Sequence, residues 1–125
     1  MIAVSSAEAP VACDGDNPNE GPHYRVTNYF GDPATNAESP QGFIVEVSPL
    51  DPVEGRSRMV RPHFHLLRQY QVFAGGEEPS IGKHDVQPFD FHYTDRSTPY
   101  GPIDSLSGGV KFFTLRPRAD TSRRV

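Results

Sequence analysis

The chain has 125 residues, including 11 glycines and 13 prolines; 35% of its residues are hydrophobic and its formal net charge is −4. That length suits one domain with one packed core, and the low apolar and high turn-residue content favours a loop-rich β protein over a helical bundle. The composition also argues against a membrane span, and the negative charge gives no reason to expect nucleic acid as a partner.

The two ends of the chain have the composition of flexible segments. Residues 1–22 are rich in Ala, Ser, Asp, Asn, Pro and Glu and predict an extended or disordered arm, while 117–125 predict a flexible tail. The four arginines of RPRADTSRRV, from residue 116 onwards, are interpreted as a solvated basic cluster. The arm lacks the features of a secretory signal and holds the single cysteine, Cys13, so no internal disulfide is possible and we expect a cytoplasmic protein.

Short runs of alternating apolar residues, separated by turn residues, fill the middle of the chain. They are enriched in β-branched and aromatic residues, which is typical of strands, and no window has a helical period longer than one or two turns. These runs predict strands at 23–30, 42–47, 58–65, 68–74, 80–84, 86–94 and 109–116. Several short strands at this spacing predict an all-β sandwich or small barrel, with residues 23–116 as a single domain.

The stretch from Arg61 to Gly76, RPHFHLLRQYQVFAGG, carries the strongest chemical signal. Successive side chains on a strand point to opposite faces, so His63 and His65 project together. Gln69 opens the next strand after a short link, and the reversal can bring it opposite the two imidazoles. Two imidazoles and one oxygen donor form a facial set that binds a first-row divalent metal and leaves positions open. The alternative is a strand whose histidines bond backbone and water.

The spacing of this stretch resembles the first signature of the cupin superfamily. That signature is His-x-His, three residues, an acidic or amide residue, six residues and Gly, which here fall at His63, His65, Gln69 and Gly76. The resemblance implies a small cupin-type double-stranded β-helix, a jelly-roll barrel, with a divalent metal bound inside by residues from adjacent strands. It also implies a homodimer, and the exposed edge strands of a small open barrel favour the same assembly.

The second cupin signature is matched at its turn and not at its last residue. That signature is Pro-x-Gly followed by two residues and His. It corresponds here to residues 99–104, PYGPID, so Asp104 stands where the histidine would be. Cupins commonly carry Glu where this chain has Gln69, and a neutral amide lends the metal no charge, so the site would favour an anionic ligand. Asp104 would restore a charged oxygen, and two His, one Gln and one Asp would suit Mn, Fe(II), Ni or Zn.

His92 is the rival of Asp104 for the fourth position. Strand parity places His92 opposite Phe89, Phe91 and Tyr93. If these aromatic side chains fill the interior, His92 points outward; if they cover the outside, as at a dimer interface, His92 points inward. For Asp104 the alternative is a turn carboxylate that accepts from a local backbone N–H.

Three further residues are candidates for a ligand pocket. Gln71 and Phe73 share the parity of Gln69 and would line the cavity below it, and Tyr100 sits in a turn near the expected mouth.

Three functions are consistent with these residues. The first is a metalloprotein with an enzymatic role: an oxygenase, isomerase or lyase that polarises an oxygen of a small organic substrate or binds dioxygen. Its general base would be whichever of His92 and Asp104 is not a ligand. The second is a metal-free module that binds a small polar ligand, and the third is a structural subunit whose outer sheet pairs with a partner.

Overall fold

A computed structural model describes the protein over residues 11–16, 23–31, 38–48, 57–106, 109–118 and 123–124. The rest of the predicted arm, at 1–10 and 17–22, and of the predicted tail, at 119–122 and 125, lies outside the described residues.

Within these ranges the regular secondary structure is β throughout, as composition and alternation predict. No helix in the described ranges has the length and apolarity that crossing a membrane requires. The described strands, in chain order, are β1 (Val11–Asp16), β2 (His23–Phe30), β3 (Gln41–Ser48), β4 (Ser57–Val60), β5 (Phe64–His65), β6 (Gln69–Gly76), β7 (Ser80–Ile81), β8 (His84–Asp85), β9 (Phe91–Thr94), β10 (Ile103–Ser105), β11 (Val110–Arg116) and β12 (Arg123–Arg124).

The strands form two main sheets that pack face to face. One sheet has six strands in the order β1-β2-β3-β11-β6-β9, the other has four in the order β4-β10-β7-β8, and β12 pairs with β5. The pairs are antiparallel, and β11 lies between β3 and β6. After β3 the chain crosses to the smaller sheet for β4, for β7 and β8, and for β10, and it returns to the larger sheet for β6, β9 and β11. This crossing order between two antiparallel sheets is that of a jelly roll, and it confirms the predicted fold class.

The core lies between the two sheets. Its buried apolar side chains come from β3, β6 and β11 on one side and from β4, β7 and β10 on the other. Phe73 and Phe112 pack with ring centroids 5.7 Å apart, and Met59 and Ile103 belong to the same cluster. Burial alternates along β6, so the inward set of this strand is the one that parity predicts.

The register across β3, β11 and β6 stacks the inward side chains in layers. From the apolar to the polar end, the layers are Val45–Phe112–Phe73, then Phe43–Thr114–Gln71, then Gln41–Arg116 with Gln69 beside them. The interior therefore changes from hydrocarbon to polar groups along the strand direction, and the candidate site residues of this sheet lie at its polar end.

Three predicted strands differ from the structure. The run predicted as one strand at 80–84 is a tight hairpin, in which β7 and β8 pair around a turn at Gly82, whose φ is +57°. The other two are shorter than predicted. The run at 58–65 is interrupted at residues 61–63, where Pro62 has no N–H for a ladder bond. The run at 86–94 keeps only Phe91–Thr94 as a strand, because Pro88 also lacks a donor and Phe89 has a positive φ of 70°.

Three described strands were not predicted. β10 falls in a segment interpreted as a turn, and β1 and β12 fall in the predicted arm and tail, where their backbones pair with β2 and β5. All three are short or contain residues of low β propensity, so their pairing depends on neighbouring strands that local composition does not reveal. The domain boundaries at 23 and 116 stay a prediction.

Candidate metal and ligand site

His63 and His65 lie side by side in the interior, as alternation predicts. They are 6% and 8% exposed, and their ring centroids are 4.9 Å apart. Two backbone hydrogen bonds join His63 to Tyr100: His63 N–H donates to the Tyr100 carbonyl at 3.1 Å, and Tyr100 N–H donates back at 3.0 Å. This bridge ties the histidine segment to the turn of the second signature and sets the Tyr100 ring 4.6 Å from the His63 ring.

The two imidazoles converge through their ε nitrogens. His63 Nε2 and His65 Nε2 are 3.1 Å apart. Two nitrogens bound to one ion at about 2.0–2.1 Å would be separated by about 3.0 Å at a right angle and about 3.4 Å at the tetrahedral angle. The observed separation falls in this range, and it also fits an N–H···N hydrogen bond between a protonated and an unprotonated nitrogen.

The other nitrogen of His63 fixes its tautomer. His63 Nδ1 lies 2.8 Å from the carbonyl oxygen of Arg61. A carbonyl only accepts, so Nδ1 carries the hydrogen, and neutral His63 has its lone pair on Nε2, facing His65. Metal-binding histidines commonly have such a partner on the second nitrogen, so the backbone orients His63 as a ligand would be oriented.

Gln69 is held between Arg116 and Tyr100. Its amide nitrogen donates to the Tyr100 hydroxyl at 2.7 Å, and its Oε1 accepts from Arg116 Nε at 2.8 Å. Arginine can only donate, so it identifies which end of this buried amide is the oxygen. The oxygen predicted to bind a metal therefore already accepts a charge-assisted hydrogen bond and has one further lone pair, and its role as a ligand stays a prediction.

The Tyr100 hydroxyl is shared by two amide groups. Besides Gln69, Gln71 Nε2 donates to it at 3.5 Å. The Tyr100 ring lies close to the rings of His63 and His92, at centroid distances of 4.6 and 5.0 Å. Tyr100 therefore joins the histidine pair to the glutamines of β6, and the structure brings these predicted site residues together.

His92 points inward, because the aromatic residues beside it cover the outside of the sheet. Phe91 is 69% exposed and Tyr93 43% exposed, so the second of the two sequence alternatives holds. His92 Nδ1 lies 3.2 Å from Gln71 Oε1. Burial lowers the pKa of the His92 imidazole from its ordinary value of 6.5, so the ring is neutral at pH 7.

Asp104 is not brought to the histidines. On β10 its neighbours Ile103 and Ser105 are both fully buried, and the Ile103 side chain lines the site cavity, so alternation turns Asp104 to the opposite face. Within the part of the chain that the structure describes, no three His, Cys, Asp or Glu side chains form a group that could hold an ion. The histidine pair would therefore need oxygen donors of another kind to complete a metal site.

A cavity of about 190 Å³ adjoins this network. Most of its wall is hydrocarbon from valines, Phe43, Met59, Ile103 and Phe112. None of the described residues that line it is Asp or Glu. Its polar wall consists of His63, His65, Gln71, Tyr100, Thr114 and Arg116. Phe73, also predicted to line a pocket, lies in the core and not in this wall.

Arg116 is the site residue that sequence reasoning missed. It was assigned to the solvated basic cluster of the tail, and this assignment is wrong because Arg116 ends β11 and lines the cavity. Along β11, Phe112 and Thr114 share its parity and are buried, so alternation continued to the strand end would have found it.

Comparison with known proteins identifies similar structures but no similar sequence. No family model matches the chain, and no curated protein matches it. KdgF from Halomonas sp. is 14% identical with a TM-score of 0.58, over 96% of both chains. The polyketide cyclase RemF from Streptomyces resistomycificus is 20% identical with a TM-score of 0.60, over 99% of this chain and 84% of RemF. Fe(II) HppE is 14% identical with a TM-score of 0.58, over 93% of this chain and 60% of HppE.

These similar structures are cupins, and the chain has the cupin fold that its two signatures implied. At identities of 20% or less, the likeness extends to the fold alone.

Proposed function

We propose that this protein is a cupin-type metalloprotein that holds a divalent ion at His63 and His65 and acts on a small organic substrate in the adjoining cavity. The observation that carries the proposal is the 3.1 Å separation of the two Nε2 atoms. The bond from His63 Nδ1 to the backbone supports it, because it places the lone pair of the neutral ring on Nε2, the atom that faces His65. Two similar structures add support, since one is an Fe(II) protein and another is a cyclase.

The donor set suits Fe, Mn, Ni or Zn. Imidazole nitrogens bind all four ions, and the Gln69 oxygen would complete a neutral three-ligand face. A neutral face leaves the charge of the ion uncompensated, so an anionic substrate or hydroxide would be the favoured further ligand. When bound, the ion would supply Lewis-acid polarisation of a substrate oxygen.

The chain's own groups would orient the substrate and move a proton. The hydrocarbon wall would take the apolar part of the molecule, and the Tyr100 hydroxyl, fixed by two amides, would hydrogen-bond its polar part. Of the two candidate bases, His92 is neutral at pH 7 and lies behind Gln71 and Tyr100 of the cavity wall without itself lining the cavity. We therefore assign the general base, acting from behind these two residues, to His92 and not to Asp104. The reaction classes that suit these groups are isomerase, lyase and oxygenase.

Metal content tests the proposal. The protein is purified without an affinity column, and we expect about one equivalent of divalent metal per chain and a higher melting temperature with metal than with EDTA, since a ligand of the native state stabilises it. The double variant His63→Ala, His65→Ala should lose both the metal and the effect of EDTA. His84→Ala, at an exposed histidine on β8, is the matched control and should keep both.

The proposal fails if the wild-type protein, incubated with each of the four ions and desalted, retains less than about a tenth of an equivalent and melts at the same temperature with and without EDTA.

A metal-free binding module is the second candidate. The hydrogen bond between Arg116 and the Gln69 oxygen favours it, because that oxygen already has a charged partner. In this case the double histidine variant would still bind small molecules in the cavity, in the presence of EDTA, as tightly as the wild-type protein.

A further inference from the structure

Among the described residues of the cavity wall, Arg116 is the one with a permanently charged side chain. It lies at the polar end of the layered interior, next to Gln41 on β3. Its Nε donates to Gln69 at 2.8 Å, and its guanidinium carbon is 5.0 Å from the centroid of the Phe43 ring. These contacts hold the plane of the guanidinium in one orientation at the cavity.

The rest of the wall is suited to hydrocarbon. Val45, Val47 and Phe112 line the cavity from the larger sheet, and Met59 and Ile103 line it from the smaller one. A ligand in this cavity would meet a positive charge at one end and apolar side chains over most of its surface. The described wall contributes no negative charge that would repel an anion.

The volume limits the size of the ligand. An apolar protein cavity of about 150 Å³ takes up benzene. The cavity of about 190 Å³ therefore suits a six-membered ring, or a branched chain of similar bulk, that carries one small polar group. A sugar would set several hydroxyl groups against the valines, where they would find no partner, and a nucleotide would in addition exceed the volume.

We propose that the cavity binds a small apolar monocarboxylate, with its carboxylate at Arg116 and its ring or branched chain against the valine and phenylalanine wall. The planar guanidinium matches the two oxygens of a carboxylate, and in a half-buried apolar setting this pair is stronger than in water. This inference rests on the proposed function in one respect: it takes the same cavity as the substrate site. It does not depend on the metal, because Arg116 supplies the positive charge whether or not a metal is bound.

Binding of three probes to the wild-type protein tests the inference. Benzoate, benzamide and acetate are titrated by NMR, first with EDTA and then with one equivalent of metal. In EDTA, benzoate should bind at least about tenfold more tightly than benzamide, which lacks the charge, and than acetate, which lacks the ring. Equal affinities for benzoate and benzamide in EDTA would overturn the inference.

Variants assign the effect to one residue. Arg116→Gln should lower benzoate affinity at least about tenfold and leave benzamide affinity unchanged, while Arg116→Lys should keep part of the preference for benzoate. Arg96→Gln, at an exposed arginine in the turn after β9, is the matched control and should change nothing. An Arg116→Gln variant that is folded and still prefers benzoate would overturn the assignment.

The metal arm separates this inference from the proposed function. A preference for benzoate that arises only after metal is added would overturn the role of Arg116 and leave the metal site intact. A preference present in EDTA, in a protein that takes up no metal, would support the carboxylate site and contradict the metalloprotein.

Discussion

The half-buried imidazole of His92 is expected to make the free energy of unfolding depend on pH. Burial lowers the pKa of His92 from 6.5 because the charged ring loses solvation. Between the lowered value and 6.5 the unfolded chain binds more protons than the folded one, so acidification through this window favours unfolding, and above 6.5 the residue has no effect. The free energy of unfolding should therefore decrease as the pH falls below 6.5.

The variant His92→Asn isolates that contribution. Asparagine keeps an N–H donor near the Gln71 oxygen but does not titrate, so the decrease between pH 7 and pH 5 should be smaller than in the wild-type protein. Urea unfolding in EDTA at a series of pH values measures the free energy of unfolding of both proteins, and the EDTA prevents metal release from contributing to the pH dependence. His84→Asn, at an exposed histidine, should keep the wild-type decrease, and an unchanged decrease in His92→Asn would contradict the prediction.

Strand parity predicted the direction of the site side chains, even at His63, which lies just before β5 in an isolated bridge to Tyr100. It brought His63 and His65 together and turned Gln69 and Gln71 inward. It could not give the partners of these groups, because the bond from Arg116 to Gln69 joins strands 47 residues apart in sequence. The hydrogen-bond partners of these groups therefore became visible only with the tertiary structure.

At the scale of elements, the start of β11 depends on a glycine. Gly109 precedes Val110, which pairs with Val47 on β3, and it has a φ of +82°. A Cβ at this position would collide with the Val47 carbonyl oxygen, and an L residue is strained at this φ whatever the space. Backbone strain and collision together should make Gly109→Ala destabilising by about 2 kcal/mol or more.

A second glycine on the neighbouring strand provides the control. At Gly75 in β6 an added Cβ would meet only Lys111 Cβ, at an ordinary 3.7 Å. Gly75→Ala should therefore change the free energy of unfolding by no more than about 0.5 kcal/mol. Urea unfolding of both variants measures the difference, and equal stabilities would mean that the backbone around Gly109 adapts at little cost.

Element positions were predictable where alternation is uninterrupted. The predicted strand at 23–30 coincides with β2, the one at 42–47 is one residue shorter than β3 at each end, and the one at 109–116 begins one residue before β11. Strands next to proline were predicted too long, because the apolar pattern continues through Pro62 and Pro88 although the ladder does not. The order in which the strands pair could not be predicted from local sequence patterns, because β11 inserts between two strands that precede it in the chain.

At the scale of the whole molecule, the larger sheet has an apolar outer surface at its edge. Its edge strand, β9, presents Phe91 and Tyr93, and the neighbouring strands add Tyr70 and Leu115, which pair with each other. The Tyr70 ring lies 4.8 Å from the Tyr93 ring and 6.4 Å from the Phe91 ring, while Tyr70 and Phe91 remain 47% and 69% exposed. These three aromatic side chains, with Leu115 beside them, form an aromatic face next to the edge strand β9.

We expect this aromatic face to join two copies of the chain in a homodimer. An open edge strand exposes backbone donors and acceptors, and two such edges can pair antiparallel about a two-fold axis while their aromatic faces cover each other. Light scattering at micromolar concentration should give twice the mass of one chain. The double variant Phe91→Lys, Tyr93→Lys should give a folded monomer, because the new charges would meet their own copies across the axis. Leu66→Lys, at an exposed apolar residue outside the larger sheet, should leave the dimer intact, and a wild-type mass near that of one chain would contradict the assembly.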